Sequence, residues 1–302
     1  MAQNRKTWLL VDGHNMAFRC FYGVPQMATT DGVPVNAVCG WVRSLWKLED
    51  TVSPDAVCVF FDAGGSAARK NILSTYKANR KAMPDDLRRQ LEYMNLLSVA
   101  HGYYIVASEG IEADDLLAAF ARGVKKRGEI AYIASGDKDF VQCVCECIFQ
   151  MLPPAAGERG VWRILDRDGV AKKFGVFPEQ IVDYLSLLGD ASDNIAGVRG
   201  IGAKRAAAFL TKFGTVDSLL ENIDQVSSKK IRDELLKSGE LIARNRRLIS
   251  LQGSMDVGLP EAKIYRSADD IFAMLEKLQL KSLLQIARRR YSGQGELFGS
   301  LQ

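Results

Sequence analysis

The sequence is poor in the residues that build zinc sites, disulfide frameworks and membrane spans. It has two histidines, His14 and His101, and its six cysteines include no CxxC pair. The run Cys143-Val-Cys145-Glu-Cys147 lacks the paired spacing and the histidine partners of a zinc site, so we expect free thiols in a reducing compartment. No apolar run approaches roughly 18 residues, and the N-terminus shows no secretory pattern. These absences favour a cytoplasmic protein without a membrane segment.

Charge and composition narrow the function only slightly. The net charge is +4 with a pI near 8.7, and 47% of the residues are hydrophobic. This mild excess of positive charge permits nucleic-acid binding without demanding it. The 302 residues allow one large domain or two smaller ones with a sizeable core.

Three short apolar runs predict buried strands, and each is followed by an aspartate. Residues 8–11, 56–61 and 130–134 are strand-like and lead to Asp12, Asp62 and Asp137 respectively. Helical patterns at 37–50 and 87–99 lie between these strands. Such alternation predicts an α/β domain with a mostly parallel sheet. Because ligands collect at the carboxyl ends of parallel strands, we expect these three aspartates to converge.

The stretch from Gly110 to Asp139 concentrates carboxylates. Glu112, Asp114 and Asp115 open a predicted helix, and Asp137 and Asp139 follow a predicted strand. Helix capping or turn formation explains one aspartate, but five acids repel one another unless a cation lies among them. Carboxylate oxygens are ligands for hard divalent cations, so the pattern predicts a metal site.

A basic stretch without acids follows Asp62. This basic arm, residues 69–81, contains Arg69, Lys70, Tyr76, Lys77, Arg80 and Lys81. A solvated helix face is one interpretation. Placed directly after a predicted metal ligand, the basic arm also suits phosphate steering and base stacking.

The second half of the chain is predicted to be mostly helical. A short strand at 161–165 precedes a domain boundary around 166–175, and a helix runs from Phe177 to Leu188. The run Gly197-Val-Arg-Gly200-Ile-Gly202-Ala-Lys204 is GxxGxG, not the dinucleotide-binding GxGxxG, and it follows a helix. A plain helix–helix turn is possible, but three glycines with lysine and arginine behind them favour a hairpin that grips phosphate.

Taken together, these motifs resemble the 5′ nuclease (flap endonuclease) family, and most closely the 5′→3′ exonuclease domain of bacterial DNA polymerase I. The match runs over about residues 8–250. Its motifs are Val-Asp12-Gly, Val-Phe-Phe-Asp62, Tyr76-Lys77-x-x-Arg80, Glu112-Ala-Asp-Asp115, Gly-Asp137-Lys-Asp139, Gly189-Asp190-x-Ser-Asp193 and the glycine hairpin. No polymerase follows Gln302, so we expect a stand-alone nuclease.

The resemblance implies a PIN-like α/β domain at 1–170 with a helical arch at about 64–83, a helix–hairpin–helix domain at 171–290 and a flexible tail at 291–302. It implies a first Mg²⁺ or Mn²⁺ ion at Asp12, Asp62, Glu112 and Asp114, and a second around Asp115, Asp137, Asp139, Asp190 and Asp193. Lys77 and Arg80 would contact the scissile phosphate. Residues expected to bind DNA are Arg19, Arg69, Tyr76, Gly197, Gly200, Gly202 and Lys204. The hairpin would also hold a potassium ion.

The resemblance therefore implies a monomeric, nucleoid-associated 5′→3′ exonuclease and 5′-flap endonuclease for primer removal and repair, acting on 5′ flaps and RNA–DNA primer junctions. Ala196 replaces the usual proline before the hairpin, and the loop at 64–68 lacks the lysines of relatives. The alternatives are a structure-specific DNA-binding protein with weak or no cleavage, and a PIN-type ribonuclease. The tail segment Gln294-Gly-Glu-Leu297-Phe298 resembles the QxxLF peptide that binds the sliding clamp, which would be a further partner.

Overall fold

A computed structural model describes residues 5–64, 67–155, 161–251 and 257–292. Its centre is a six-stranded sheet in the order β3-β2-β1-β4-β5-β6, parallel except for β6, which pairs antiparallel with β5. The strands are β1 Thr7–Asp12, β2 Ala56–Phe60, β3 Tyr104–Val106, β4 Ile130–Ala134, β5 Ile148–Leu152 and β6 Arg163–Leu165. The predicted α/β class with a mostly parallel sheet is confirmed.

Both faces of the sheet are buried, which explains why its central strands read as continuous apolar runs. In β1, Leu9 and Val11 contribute to one core, and Trp8 and Leu10 to the core on the opposite face. The helices of this half are α1 Gly13–Gly23, α2 Asn36–Val52, α3 Ala67–Ile72, α4 Asp85–Ala100 and α5 Ala113–Lys126. Helices α1, α2 and α4 cover the first face, and α5 covers the second.

The helical part has its own core. Its helices are α6 Arg167–Phe174, α7 Ile181–Leu188, α8 Ala203–Phe213, α9 Val216–Glu221, α10 Lys229–Lys237 and α11 Gly239–Ile249, and its two short antiparallel strands are β7 Gly189–Asp190 and β8 Ile195–Ala196. Leu185, Leu210 and Leu235 are buried together there. Helix α7 follows a 3-10 turn at Pro178–Gln180, so the predicted helix at 177–188 begins with a tighter turn.

The last two helices return to the sheet. Helices α12 Ala268–Lys277 and α13 Lys281–Tyr291 bury Ile271, Leu275 and Leu283 in the same core as α2 and α4. The division of the chain near residue 170 stays a prediction. None of the described helices is both long and apolar enough to cross a membrane.

Candidate metal centre

The ends of three neighbouring strands place three aspartates at one edge of the sheet. Asp12 ends β1 and caps α1, accepting a hydrogen bond from the Asn15 N–H at 3.2 Å. Asp62 follows β2 and accepts the Ala113 N–H at 2.7 Å, which ties it to the start of α5. Asp137 follows β4 and caps a 3-10 turn at Lys138–Cys143. All three line one cavity of about 460 Å³ together with Asp114.

Two compact acid groups complete the site. Ligand oxygens of Glu112, Asp114 and Asp115 lie within 4.8 Å of one another, as do those of Asp139, Asp190 and Asp193. Four of these side chains are buried; these are Glu112, Asp115, Asp190 and Asp193. The structure therefore places Asp115 beside Glu112 and Asp114, although the resemblance assigns it to the second ion.

The electrostatics of these acids fit a divalent cation. Burial, with repulsion from Asp137 and Asp62, raises the pKa of Asp12 to about 6. Burial, with repulsion from Glu112 and Asp115, raises the pKa of Asp114 to about 7. Burial and mutual repulsion also raise the pKa of Asp139 well above its usual range, and within the described residues its buried Oδ1 has no hydrogen-bond partner. Carboxylate oxygens held this close without enough positive charge are suitable ligands for Mg²⁺ or Mn²⁺.

Not all the acids are shifted in this direction. Burial acts to raise the pKa of Asp62, but the neighbouring His14 and the hydrogen bond from the Ala113 N–H outweigh it, so the pKa is lowered. Burial likewise opposes the hydrogen bonds that Asp190 accepts from Lys138 and Ser192, and the pKa of Asp190 is lowered as well. The site therefore contains acids with a lowered pKa, which are ionised without a metal, next to acids with a raised pKa, which a bound cation would help to ionise.

Side chains of the basic arm supply part of that positive charge. Lys77 Nζ lies 2.7 Å from Glu112 Oε1, and Arg80 Nη2 lies 2.6 Å from Asp193 Oδ1. The Lys77 N–H also donates to the Asp193 carbonyl. The arm thus bridges the start of α5 and the segment between β7 and β8. Lys77 and Arg80 are next to the acids, as their predicted role at the scissile phosphate requires.

Arg69 and Tyr76 lie deeper than their predicted contact with DNA requires. Arg69 is 2% exposed and donates two hydrogen bonds of 2.8 Å to Asp115, and another to the Leu248 carbonyl. Tyr76 is 4% exposed, and its hydroxyl donates to Asp193 at 3.2 Å. Both belong to the acid cluster in this structure because buried carboxylates there need donors. DNA contact through either side chain would require the basic arm to move.

The glycine hairpin joins α7 to α8 next to the acids. Gly200 has φ +80°, and Gly202 caps α8. Lys204 is exposed on the first turn of α8. Since the first N–H groups of a helix have no intrahelical partner, this end of α8 is able to bind phosphate. DNA binding by Gly197, Gly200, Gly202 and Lys204 stays a prediction.

Sequence comparison places these features in a known family. A family model for the 5′-3′ exonuclease N-terminal resolvase-like domain matches residues 7–175, and one for the 5′-3′ exonuclease C-terminal SAM fold matches 176–271. The chain belongs to the 5′-3′ exonuclease family. The predicted family is thereby confirmed.

Matches to individual proteins support the same family. A 5′-3′ exonuclease of Aquifex aeolicus is 32% identical over 97% of this chain and 100% of the relative. DNA polymerase I of Caldicellulosiruptor bescii is 31% identical over 92% of this chain and 33% of the relative, so the chain spans about a third of that protein. A solved complex of bacteriophage T5 D15 flap endonuclease with DNA and metal ions matches 94% of this chain and 100% of its own, with a TM-score of 0.66 and 23% identity. That likeness shows the fold.

Several residues in or near the cavity were not singled out in the sequence. His14, Phe18 and Tyr22, at successive turns of α1, line the cavity with the acids, and the His14 Nδ1 accepts the Asp62 N–H at 3.3 Å. Lys138 lies 2.8 Å from Asp190. The sequence signal for these α1 residues is the spacing of four positions between His14, Phe18 and Tyr22, which places them on one face of the helix that begins after Asp12. Arg19 donates instead to the Pro154 carbonyl on the other side of α1. Gln294, Leu297 and Phe298 lie outside the described residues.

Proposed function

We propose that the protein is a metal-dependent 5′ nuclease that hydrolyses phosphodiester bonds of DNA at 5′ flaps and 5′ single-stranded ends. The observation that carries this proposal is the meeting of the acids around a cavity that Lys77 and Arg80 also line. Acids alone would suit many metal sites. Their combination with a basic arm and a phosphate-binding hairpin suits a polyanionic substrate.

Two Mg²⁺ or Mn²⁺ ions are proposed for the site. Asp12, Asp62, Glu112 and Asp114 would hold one ion, and Asp115, Asp137, Asp139, Asp190 and Asp193 would surround the other. Bound ions of this kind supply a nucleophilic water and neutralise charge on the attacking and leaving oxygens. The unpartnered Asp139 Oδ1 and the raised pKa values of Asp12 and Asp114 support this assignment.

The chain's own cations would act on the phosphate. Lys77 and Arg80 would exchange their carboxylate partners for non-bridging oxygens of the scissile phosphate, where they would stabilise developing negative charge. Burial acts to lower the pKa of Lys77, but the nearby Asp114 and Glu112 outweigh it and raise the pKa, so the ammonium stays protonated at neutral pH. Gly197 to Lys204 would hold backbone phosphates of the duplex, with a potassium ion bound by hairpin carbonyls.

The wider assignment follows from this activity. We propose that the enzyme acts as a monomer in the nucleoid on DNA flaps and RNA–DNA primer junctions, in replication and repair. It would recognise the shape of the substrate, because a hairpin that contacts phosphates carries no base-specific information. We also propose that Gln294, Leu297 and Phe298 bind the sliding clamp. Unchanged clamp affinity after replacement of Leu297 and Phe298 by alanine would remove that proposal.

Cleavage assays with an isosteric variant test the activity. A labelled 5′-flap DNA, a single-stranded RNA and a blunt duplex are incubated with Mg²⁺ or with EDTA. We expect Mg²⁺-dependent cleavage at the flap. Asp114→Asn keeps the side-chain volume but removes one negative charge, so its cleavage rate should fall by at least roughly 100-fold, since even outer partners of metal ligands cost 10–100-fold.

The control is Asp168→Asn, an exposed position in the first turn of α6 that should keep full activity. Flap cleavage that survives EDTA, or an Asp114→Asn rate equal to that of the control, would overturn the mechanism. Flap binding without cleavage by the wild type would favour the DNA-binding alternative. Cleavage confined to the RNA would favour a ribonuclease.

A further inference from the structure

A second cavity lies beside the catalytic one and is lined by cations from three separate elements. Its volume is about 430 Å³. Arg19 reaches it from α1, Arg163 from β6 and Lys173 from α6. We call this cavity the basic side pocket. Its remaining lining comes from Asn15, Gly136, Leu152, Pro153, Pro154 and Ala155.

The basic side pocket carries positive charge that no described acidic side chain neutralises. Among the residues that the structure describes, none of those lining it is acidic. Arg19 donates to the Pro154 carbonyl, whereas Arg163 and Lys173 form no ion pair within the described residues. Partial burial and the neighbouring Arg163 lower the pKa of Lys173. This differs from the catalytic cavity, where Lys77 and Arg80 are paired with carboxylates. An anion would relieve the repulsion between Arg163 and Lys173.

Helix α1 divides the two cavities. His14 and Phe18 face the catalytic cavity, Arg19 faces the basic side pocket, and Asn15 lines both. The Gly136 N–H donates to Asn15 Oδ1 at 3.2 Å, and Gly136 directly precedes Asp137. Of these two cavities, the basic arm lines the catalytic one, through Lys77, Arg80 and Lys81, and not the basic side pocket. A ligand in the basic side pocket would therefore lie near the acids but across α1 from the basic arm.

We propose that the basic side pocket binds a backbone phosphate of the DNA substrate outside the catalytic cavity, with Arg163 and Lys173 as its principal contacts. The proposal rests on the function proposed above, because the acids next door would then act on the same polyanion. Arg163 and Lys173 are positioning residues: they hold the substrate in register and take no part in bond cleavage. Arginine and lysine are the usual donors to nucleic-acid phosphates, and such contacts are independent of base sequence.

Salt-dependent binding with single charge removals tests the proposal. Binding of a fluorescent flap DNA is measured by anisotropy in EDTA from about 0.05 to 0.3 M salt, for the wild type, Lys173→Gln and Arg163→Gln. Log K falls linearly with log salt concentration, and each lost phosphate contact should make this line less steep, by about 0.9 in the magnitude of its slope. If the effect vanishes near 1 M salt, this slope corresponds to a loss of affinity of about eightfold at 0.1 M. Both side chains are exposed, so neither change should impair folding.

The control is Lys172→Gln. Lys172 is the neighbouring exposed lysine of α6 and does not line the basic side pocket, so its replacement should leave the slope at the wild-type value. Cleavage in Mg²⁺ at subsaturating enzyme should proceed at the wild-type rate in Lys172→Gln and should slow in Lys173→Gln and Arg163→Gln in line with their weaker binding.

The outcomes distinguish this proposal from the function itself. Normal flap cleavage by the wild type, with wild-type slopes in Lys173→Gln and Arg163→Gln, would overturn the basic side pocket and leave the nuclease intact. An equal fall of slope in Lys172→Gln would also overturn it, because diffuse surface charge would then explain the binding. A wild type that neither binds nor cleaves flap DNA would overturn the nuclease and the pocket together.

Discussion

Tyr76 connects the two halves of the acid cluster through a single hydroxyl. That hydroxyl lies 3.2 Å from Asp193 and 3.4 Å from Glu112, and the side chain is buried. Burial and then the two neighbouring carboxylates raise the pKa of Tyr76, so the hydroxyl keeps its proton and acts as a donor. Its position indicates that the residue helps to hold the basic arm over the acids before any substrate is present.

Replacing Tyr76 by phenylalanine should destabilise the metal-free protein. Hydrogen bonds to charged groups contribute about 1.5–3 kcal/mol, and this substitution removes the donor without changing the ring. We expect the free energy of unfolding in EDTA to fall by about that amount, as measured by urea denaturation. Tyr22→Phe is a matched control, because Tyr22 is 72% exposed. Equal stabilities of the two variants would contradict the bridging role of the Tyr76 hydroxyl.

Individual residues were predictable from sequence where local geometry fixes them. Asp12 and Asp62 were expected at the ends of parallel strands, and the strand pairing puts them there. Arg69 was expected to bind DNA because it belongs to a basic run. Its burial depends on the Leu248 carbonyl, which is 179 positions away in sequence, and on carboxylates of α5. Such long-range partners leave no local pattern.

At the scale of elements, the hairpin between α7 and α8 depends on glycines in close contact. Gly189 has φ +80°, and a side chain at Gly197 would overlap the backbone carbonyl of Leu188. The Val198 N–H donates to the Leu187 carbonyl at 2.8 Å, which fixes the approach. The hairpin therefore positions Asp190 and Asp193 as well as the N-terminal end of α8, which is proposed to bind phosphate.

A single methyl group at Gly197 should disturb this hairpin. Gly197→Ala forces the backbone of Leu188 to shift, and local strain of this kind costs roughly 1–3 kcal/mol. We expect a lower thermal unfolding midpoint and weaker binding of flap DNA in EDTA. For the stability measurement, Gly202→Ala is the control, since a Cβ there meets nothing within 4 Å and φ is negative. A Gly197→Ala protein as stable as Gly202→Ala would contradict the close approach.

Hydrophobic periodicity predicted most helices and strands, but it did not predict which elements pack against one another. Helices were predicted at 37–50 and 87–99, and α2 and α4 occupy them. The predicted strand at 161–165 is shorter, since β6 covers only Arg163–Leu165. Helices α12 and α13 carry an amphipathic pattern that fits any apolar surface. Their choice of the sheet core depends on contacts with α2 and α4 that the pattern does not encode.

At the scale of the whole molecule, the sheet order brings distant parts of the chain to one edge. A cluster of polar side chains also connects the C-terminal helices to the helices that cover the sheet. Glu49 of α2 pairs with Arg266 and Arg290, and Arg290 also pairs with Asp50. His101 lies within this cluster, completely buried. Its Nδ1 donates to the Leu97 carbonyl at 2.6 Å and its Nε2 accepts the Trp46 N–H at 3.0 Å. These partners fix the neutral tautomer, because the carbonyl only accepts and the indole only donates.

The buried neutral state of His101 should make global stability depend on pH. Burial, and then repulsion by Arg266 and Arg290, lowers the pKa of His101 to about 3 from the ordinary histidine value of 6.5. The unfolded chain therefore binds more protons between these values, so the contribution to stability is present above pH 6.5 and is lost as the pH falls toward 3. Tyr103 and Tyr291 also face the ring, and Glu49 lies beside these two tyrosines.

Comparison with His101→Gln isolates this contribution, because titration of the acid cluster is common to both proteins. Glutamine can donate to Leu97 and accept from Trp46 but does not titrate in this range. Below pH 6.5, the free energy of unfolding of the wild type should fall more steeply than that of the variant, by up to about 1.4 kcal/mol per pH unit. Urea denaturation at several pH values between 7.5 and 4.5 measures the difference. Parallel curves for the two proteins would show that His101 is able to take up a proton in the folded state, with the C-terminal helices still packed against α2.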